Sequence, residues 1–144
     1  MKRGLSIVEL IVVLAILAIL ASAMLYGFKP RTLQNDANFL LLHIDRTRYE
    51  GLAYDPRGAE MICIDLDAQG IEDLATQEGY RLKSKITKDF DTLCFDAFGQ
   101  PYQKRGGSMM KIVEKKELIE LQKGSKKASI WLYPKSGYVI ISYQ

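Results

Sequence analysis

Residues 10–28 carry no charge, and the apolar character reaches back to Leu5 with one interruption, the carboxylate of Glu9. A helix over residues 5–28 would be about 36 Å long at 1.5 Å per residue. That is enough to cross a hydrocarbon core of about 30 Å. An acid in such a span is unfavourable by about 2.5–3.5 kcal/mol near the helix centre and by less near its end. Any reading of this chain must account for Glu9. Lys2 and Arg3 before the span are matched by Lys29 and Arg31 after it, so flanking charge gives little orientation.

Three readings address the segment. A secretory signal peptide needs a basic start, an uncharged stretch and a small-x-small site, and Ala21-Ser22-Ala23 supplies such a site. Glu9 falls where that stretch should be uninterrupted. A plain membrane anchor has the same difficulty unless Glu9 reaches the headgroups. The third reading gives the acid a partner. The stretch RGLSIVELIVVLAILAILA resembles the class III leader and N-terminal helix of type IV pilins and pseudopilins. The resemblance implies that Gly4 ends the leader, that prepilin peptidase cuts after it on the cytoplasmic side, and that Leu5 becomes the N-methylated N-terminus. It also implies that Glu9, fifth in the mature chain, serves filament assembly. Leu5 stands where the family usually has phenylalanine or methionine, and Tyr26-Gly27 stands where a proline is common. Pro30 follows, which displaces an expected kink to residues 27–30.

The chemistry of that pairing holds without the resemblance. Cleavage between Gly4 and Leu5 leaves an amine that stays cationic when methylated, and Glu9 lies one helical turn away on the same face. Helices stacked with an axial offset bring the amine of one subunit to the Glu9 of the next. Two charges that would be costly separately in an apolar filament core are then neutralised together.

Beyond Pro30, the segment NDANFLLLHIDRTRYEGLAY places Ala37, Leu40, Leu41, Ile44, Arg48 and Gly51 at helical spacing, with Asp45, Arg46 and Glu50 outside. This predicts an amphipathic continuation of the helix over residues 29–54, ended by Asp55-Pro56-Arg57-Gly58. The pattern then changes to period two, with candidate strands at 61–66, 80–87, 92–95, 109–116, 118–122, 129–133 and 138–143. The expected fold is α+β. It comprises a leader (1–4), a transmembrane and assembly helix (5–28), its amphipathic continuation (29–54) and an antiparallel β-sheet globular domain (55–144). TLCFDAFGQP and IWLYPKSGYVIISY are similar to the strand-turn and closing hairpin of H-type minor pseudopilins and related minor pilins.

Cys63 and Cys94 both fall in expected strands, on the more polar face of each. An exported domain permits a disulfide between them; two unpaired small hydrophobes are the alternative. Asp65, Asp67, Gln69, Gly70 and Asp73 sit at EF-hand spacing, but Thr76 replaces the bidentate glutamate, so an acidic connection between strands is the expectation. His43, the only histidine, has no companion ligand and reads as a surface or boundary residue. No phosphate loop, nucleophile elbow or metalloprotease motif is present, so neither an enzyme nor a cofactor is expected.

Charge is unevenly distributed. Residues 36–102 hold seven bases and thirteen acids, whereas residues 103–144 hold nine bases and three acids. Lys104, Arg105, Lys111, Lys115, Lys116, Lys123, Lys126 and Lys127 therefore open a DNA-contacting alternative, which requires several of them on one face.

The resemblance implies a single-pass protein of the bacterial inner membrane with its C-terminal domain in the periplasm. Its implied partners are prepilin peptidase, other pilins or pseudopilins in a filament-core helix bundle, and secreted cargo. The machine would be a type II secretion pseudopilus or, alternatively, a type IV pilus or DNA-uptake system with DNA as a further partner. Mass spectrometry of the mature chain should find methylated Leu5 at the N-terminus; a chain starting at Met24 would mean ordinary signal-peptidase cleavage.

Overall fold

The computed structural model describes residues 7–27, 31–52 and 61–144. It divides into two compact units, Met1–Arg31 and Thr32–Gln144. In the first, α1 (Ile7–Gly27) is a 21-residue helix whose only charged residue is Glu9, in the first turn. Its described side chains, Ile7 to Ser22, are exposed. A helix that is apolar all round needs an apolar environment, whether lipid or other helices. Among the described residues no helix is long and apolar enough to cross a membrane. The described side chains of α1 stop at Ser22, whereas the uncharged run continues to Phe28. Gly4, Leu5, Pro30 and the expected Asp55–Gly58 turn lie outside the described residues.

The second unit is built on α2 (Thr32–Leu52), which buries Leu33, Ala37, Leu40, Ile44 and Gly51 along one stripe. After it come β1 (Ile62–Asp65), α3 (Ala68–Gln77), β2 (Lys85–Lys88), β3 (Thr92–Phe95), β4 (Pro101–Arg105), β5 (Ser108–Lys111), β6 (Lys116–Lys123), β7 (Lys126–Tyr133) and β8 (Tyr138–Tyr143). The strands form two four-stranded antiparallel sheets, ordered β1-β3-β4-β5 and β2-β6-β7-β8. The fold class is α+β, as expected, with two sheets in place of one. One core gathers α2, Ile71 of α3 and both sheets, with Leu40, Ile44, Leu93, Phe95, Leu118, Leu121, Ile130 and Leu132 fully buried.

Three local expectations are corrected. The acidic stretch after β1 is the helix α3: Asp67 caps its N-terminus, its side chain accepting from Gly70 N at 2.6 Å, while Ile71 and Ala75 are buried at helical spacing. No strand is expected over 101–105, yet β4 runs there, with Pro101 at the first strand position, where a missing N–H is tolerated. The strand expected over 80–87 is regular only from Lys85. Asp36 explains this last difference. Its carboxylate, 1 % exposed, accepts from Tyr80 Oη at 2.7 Å, Lys83 N at 3.1 Å and Ser84 N at 2.7 Å. A side chain of α2 thus satisfies backbone donors that a ladder would otherwise have taken. Asp45 also departs from its expected outward place: it is half-buried, and burial pushes its carboxyl above the usual carboxylate range. His43 is buried, its ring tilted against that of Phe39 with centroids 4.6 Å apart.

Replacing Tyr80 by Phe removes one of the three hydrogen bonds to a buried carboxylate and should cost about 1–3 kcal/mol in urea unfolding at neutral pH. Burial first, then the Asp36 hydrogen bond and charge, push the Tyr80 phenol up to about 12. The unfolded chain loses that proton near pH 10. Its stabilising contribution is therefore complete below about pH 10 and is lost as pH rises toward about 12. In that window the native chain should lose stability more steeply than Tyr80→Phe, and equal slopes would remove the assignment.

Candidate functional site

The site with the clearest chemistry is the beginning of α1. Glu9 sits in its first turn, where the helix macrodipole favours an anion, and no other charge occurs among the 21 residues. Gly4 and Leu5 lie outside the described residues. Within this helix Glu9 has no counter-charge.

Cys63 and Cys94 stand directly opposite each other in the β1–β3 ladder, with Cα atoms 4.0 Å apart and the two sulfurs bonded. The bond fastens edge strand β1 to β3. Cys63 is exposed, but Cys94 is fully buried instead of lying on an open polar face. Its directly opposed neighbours on the two flanking strands, Cys63 and Tyr102, cover it. No group of three or more metal-ligating side chains occurs among the described residues. Two of the three acids at EF-hand spacing are committed elsewhere: Asp67 to its cap and Asp65 to Thr92 Oγ1 at 2.5 Å.

The eight C-terminal bases divide between separate places. Lys104 and Arg105 of β4 and Lys111 of edge strand β5 belong to the first sheet, with Lys111 Nζ bonded to Gln100 Oε1 and Arg105 Nε 3.7 Å from Asp91. Lys115 lies over the rings of Trp131 and Tyr133, 4.9 and 4.8 Å from their centroids, and Lys116 donates to Gln103 Oε1 at 2.7 Å. Lys123, Lys126 and Lys127 stand at the far end of the second sheet. Lys116 and Lys123 mark the two ends of β6, about 23 Å apart at 3.3 Å per residue.

The far end gains two bases that sequence reasoning missed. Lys85 is opposite Gln122, which is opposite Lys127, and Lys123 Nζ donates to the Lys83 carbonyl at 2.6 Å. Lys83 and Lys85 are 40 residues or so away along the chain, and only the β2–β6 pairing brings them here. Their alternation was the one available hint.

With this geometry established, comparison with known proteins defines the N-terminal segment. Residues 1–25 match the family described as the prokaryotic N-terminal methylation motif. No curated protein and no solved structure matches the chain significantly. The motif is the leader of type IV pilin-like precursors. It implies cleavage by prepilin peptidase, methylation of the new N-terminus, anchoring in the inner membrane and later assembly with pilin-like subunits. This chain therefore joins a segment that matches the leader motif of type IV pilin-like precursors to an α+β unit.

Removing the cystine tests the part played by β1. Closing a loop with a sequence separation of 31 is worth roughly 3–4 kcal/mol by chain-entropy reasoning. Under oxidising conditions Cys63→Ser should lose a comparable amount in denaturant unfolding. A reductant should destabilise the native chain and leave that variant unaffected.

Proposed function

We propose that this protein is a minor pseudopilin-like subunit of a type II secretion pseudopilus. Prepilin peptidase cuts after Gly4, Leu5 is methylated, and the chain waits in the inner membrane with residues 55–144 in the periplasm. On assembly, the Glu9 carboxylate of one subunit meets the Leu5 amine of the next, setting axial register, while the apolar faces of α1 pack in the filament core. The α+β unit meets neighbouring subunits or cargo. One observation carries this reading: a lone carboxylate in the first turn of an otherwise uncharged helix, within the stretch that matches the methylation motif.

A minor pilin of a type IV pilus or DNA-uptake machine shares every N-terminal feature and additionally needs a continuous track of bases for phosphate. The division of the eight C-terminal bases between two sheets, and between opposite ends of β6, favours the reading without DNA.

Glu9→Ala in the full chain, expressed with its partner subunits, should be cleaved and membrane-inserted normally. It should fail to enter filaments, because an unpaired buried charge costs about 3–5 kcal/mol, more than a hundredfold in association. Incorporation at the native level would overturn the proposed role of Glu9.

A further inference from the structure

We propose that the end of the α+β unit beside the first turns of α2 is a docking surface for anionic phospholipid headgroups, formed by Lys83, Lys85, Lys123 and Lys126. This rests on the membrane anchorage proposed above. All four side chains are exposed, and among the described residues none takes part in a salt bridge. Lys123 and Lys126 face each other across the Gly124-Ser125 turn, and Lys85 is in register with Gln122 on the adjacent strand.

Two side-chain carboxylates nearby, Asp36 and Glu120, are already engaged. Asp36 is buried under three hydrogen bonds. Glu120 is held by Thr87 Oγ1 at 2.6 Å and Lys127 Nζ at 3.0 Å, contacts that keep its carboxyl below the usual range. Lys127 is thereby spent, and the other four ammonium groups remain without an acidic partner. Four like charges, three on strand ends and one on the segment that Asp36 ties down, present a cationic surface to an anionic plane.

Position follows from connectivity. The Asp36 carboxylate, in α2, binds the backbone of Lys83 and Ser84, and Lys123 reaches the Lys83 carbonyl. The lysines are thus tied to the beginning of α2. Thr32 opens that helix four residues after the uncharged run ends at Phe28, a span of at most about 14 Å of extended chain. A membrane-anchored precursor therefore keeps this end of the unit close to the bilayer surface. There each lysine gains about fivefold in binding from an anionic leaflet, an attraction that fades within about 8–10 Å at physiological salt. Lys104, Lys111 and Lys115 lie elsewhere on the unit and are not expected to take part. Such contact orients the unit before assembly and is weak enough to be given up when the subunit enters a filament.

The test uses the full chain in bilayer nanodiscs of phosphatidylcholine, with or without phosphatidylglycerol. Lysine acylation is read residue by residue by mass spectrometry. Lys83, Lys85, Lys123 and Lys126 should react several-fold more slowly in the phosphatidylglycerol discs, the difference should vanish at high salt, and Lys104 should be unaffected. The double variant Lys123→Glu/Lys126→Glu, with the cystine intact, should lose the protection at Lys83 and Lys85. Equal reactivity in the two lipids overturns the proposal, as does protection that appears only when duplex DNA or an acidic protein is added. A chain that does not stay with the discs at all refutes the anchorage reading. A chain that stays while its four lysines react freely refutes only the docking surface.

Discussion

The second unit depends on the apolar stripe of α2. Among the described residues the two sheets share no ladder of hydrogen bonds, yet strands of both pack on this one helix. Leu33, Ala37, Leu40 and Ile44 provide the common surface. At the end of the stripe Gly51 allows a close approach: a Cβ there would meet Cβ and the carbonyl oxygen of Phe95 at 3.2 Å. One hairpin turn from each sheet also meets the other beyond that point. Gly137, at φ +63°, packs directly on the Gly99 carbonyl, where any side chain would collide. Burial on α2 holds the sheets together where hydrogen bonding does not.

Asp36 is the polar counterpart of that stripe. A buried carboxylate is tolerated when its oxygens are well supplied with donors, and here the supply comes from the segment that leads from α3 into β2. The same contact ends the irregular stretch, orders Lys83 and Ser84, and starts β2 against β6. A core requirement of α2 therefore decides where the lysines at that end of the unit stand.

The N-terminal segment was legible in the sequence because its signals are local. Glycine, apolar run and single acid occur at fixed short spacings, and matching residues 1–25 needs nothing from the fold. The face of α2 was legible for the same reason, since Ala37, Leu40 and Ile44 repeat with the helix period. Other features were less so. An EF-hand-like spacing of acids concealed α3, whose buried Ile71 and Ala75 fit a helix as well as its Asp67 cap. Strand β4 was not among the expected strands: a proline can open a strand as well as end one, and residues 101–105 carry no strong alternating apolar pattern. The pairing of Cys63 with Cys94 depends on β1 and β3 being neighbours in register, which no local pattern specifies.

By itself, the sequence determined the processing signal, the helix that needs apolar surroundings and the acid that needs a counter-charge, since these are properties of consecutive residues. Only the tertiary structure decided that the strands divide into two sheets, that the cysteines meet, and that Lys83 and Lys85 join Lys123 and Lys126. Each of those depends on which strands become neighbours. The β1–β3 and β2–β6 pairings join residues far apart in the chain, and which strands become such neighbours depends on the faces they bury in the shared core.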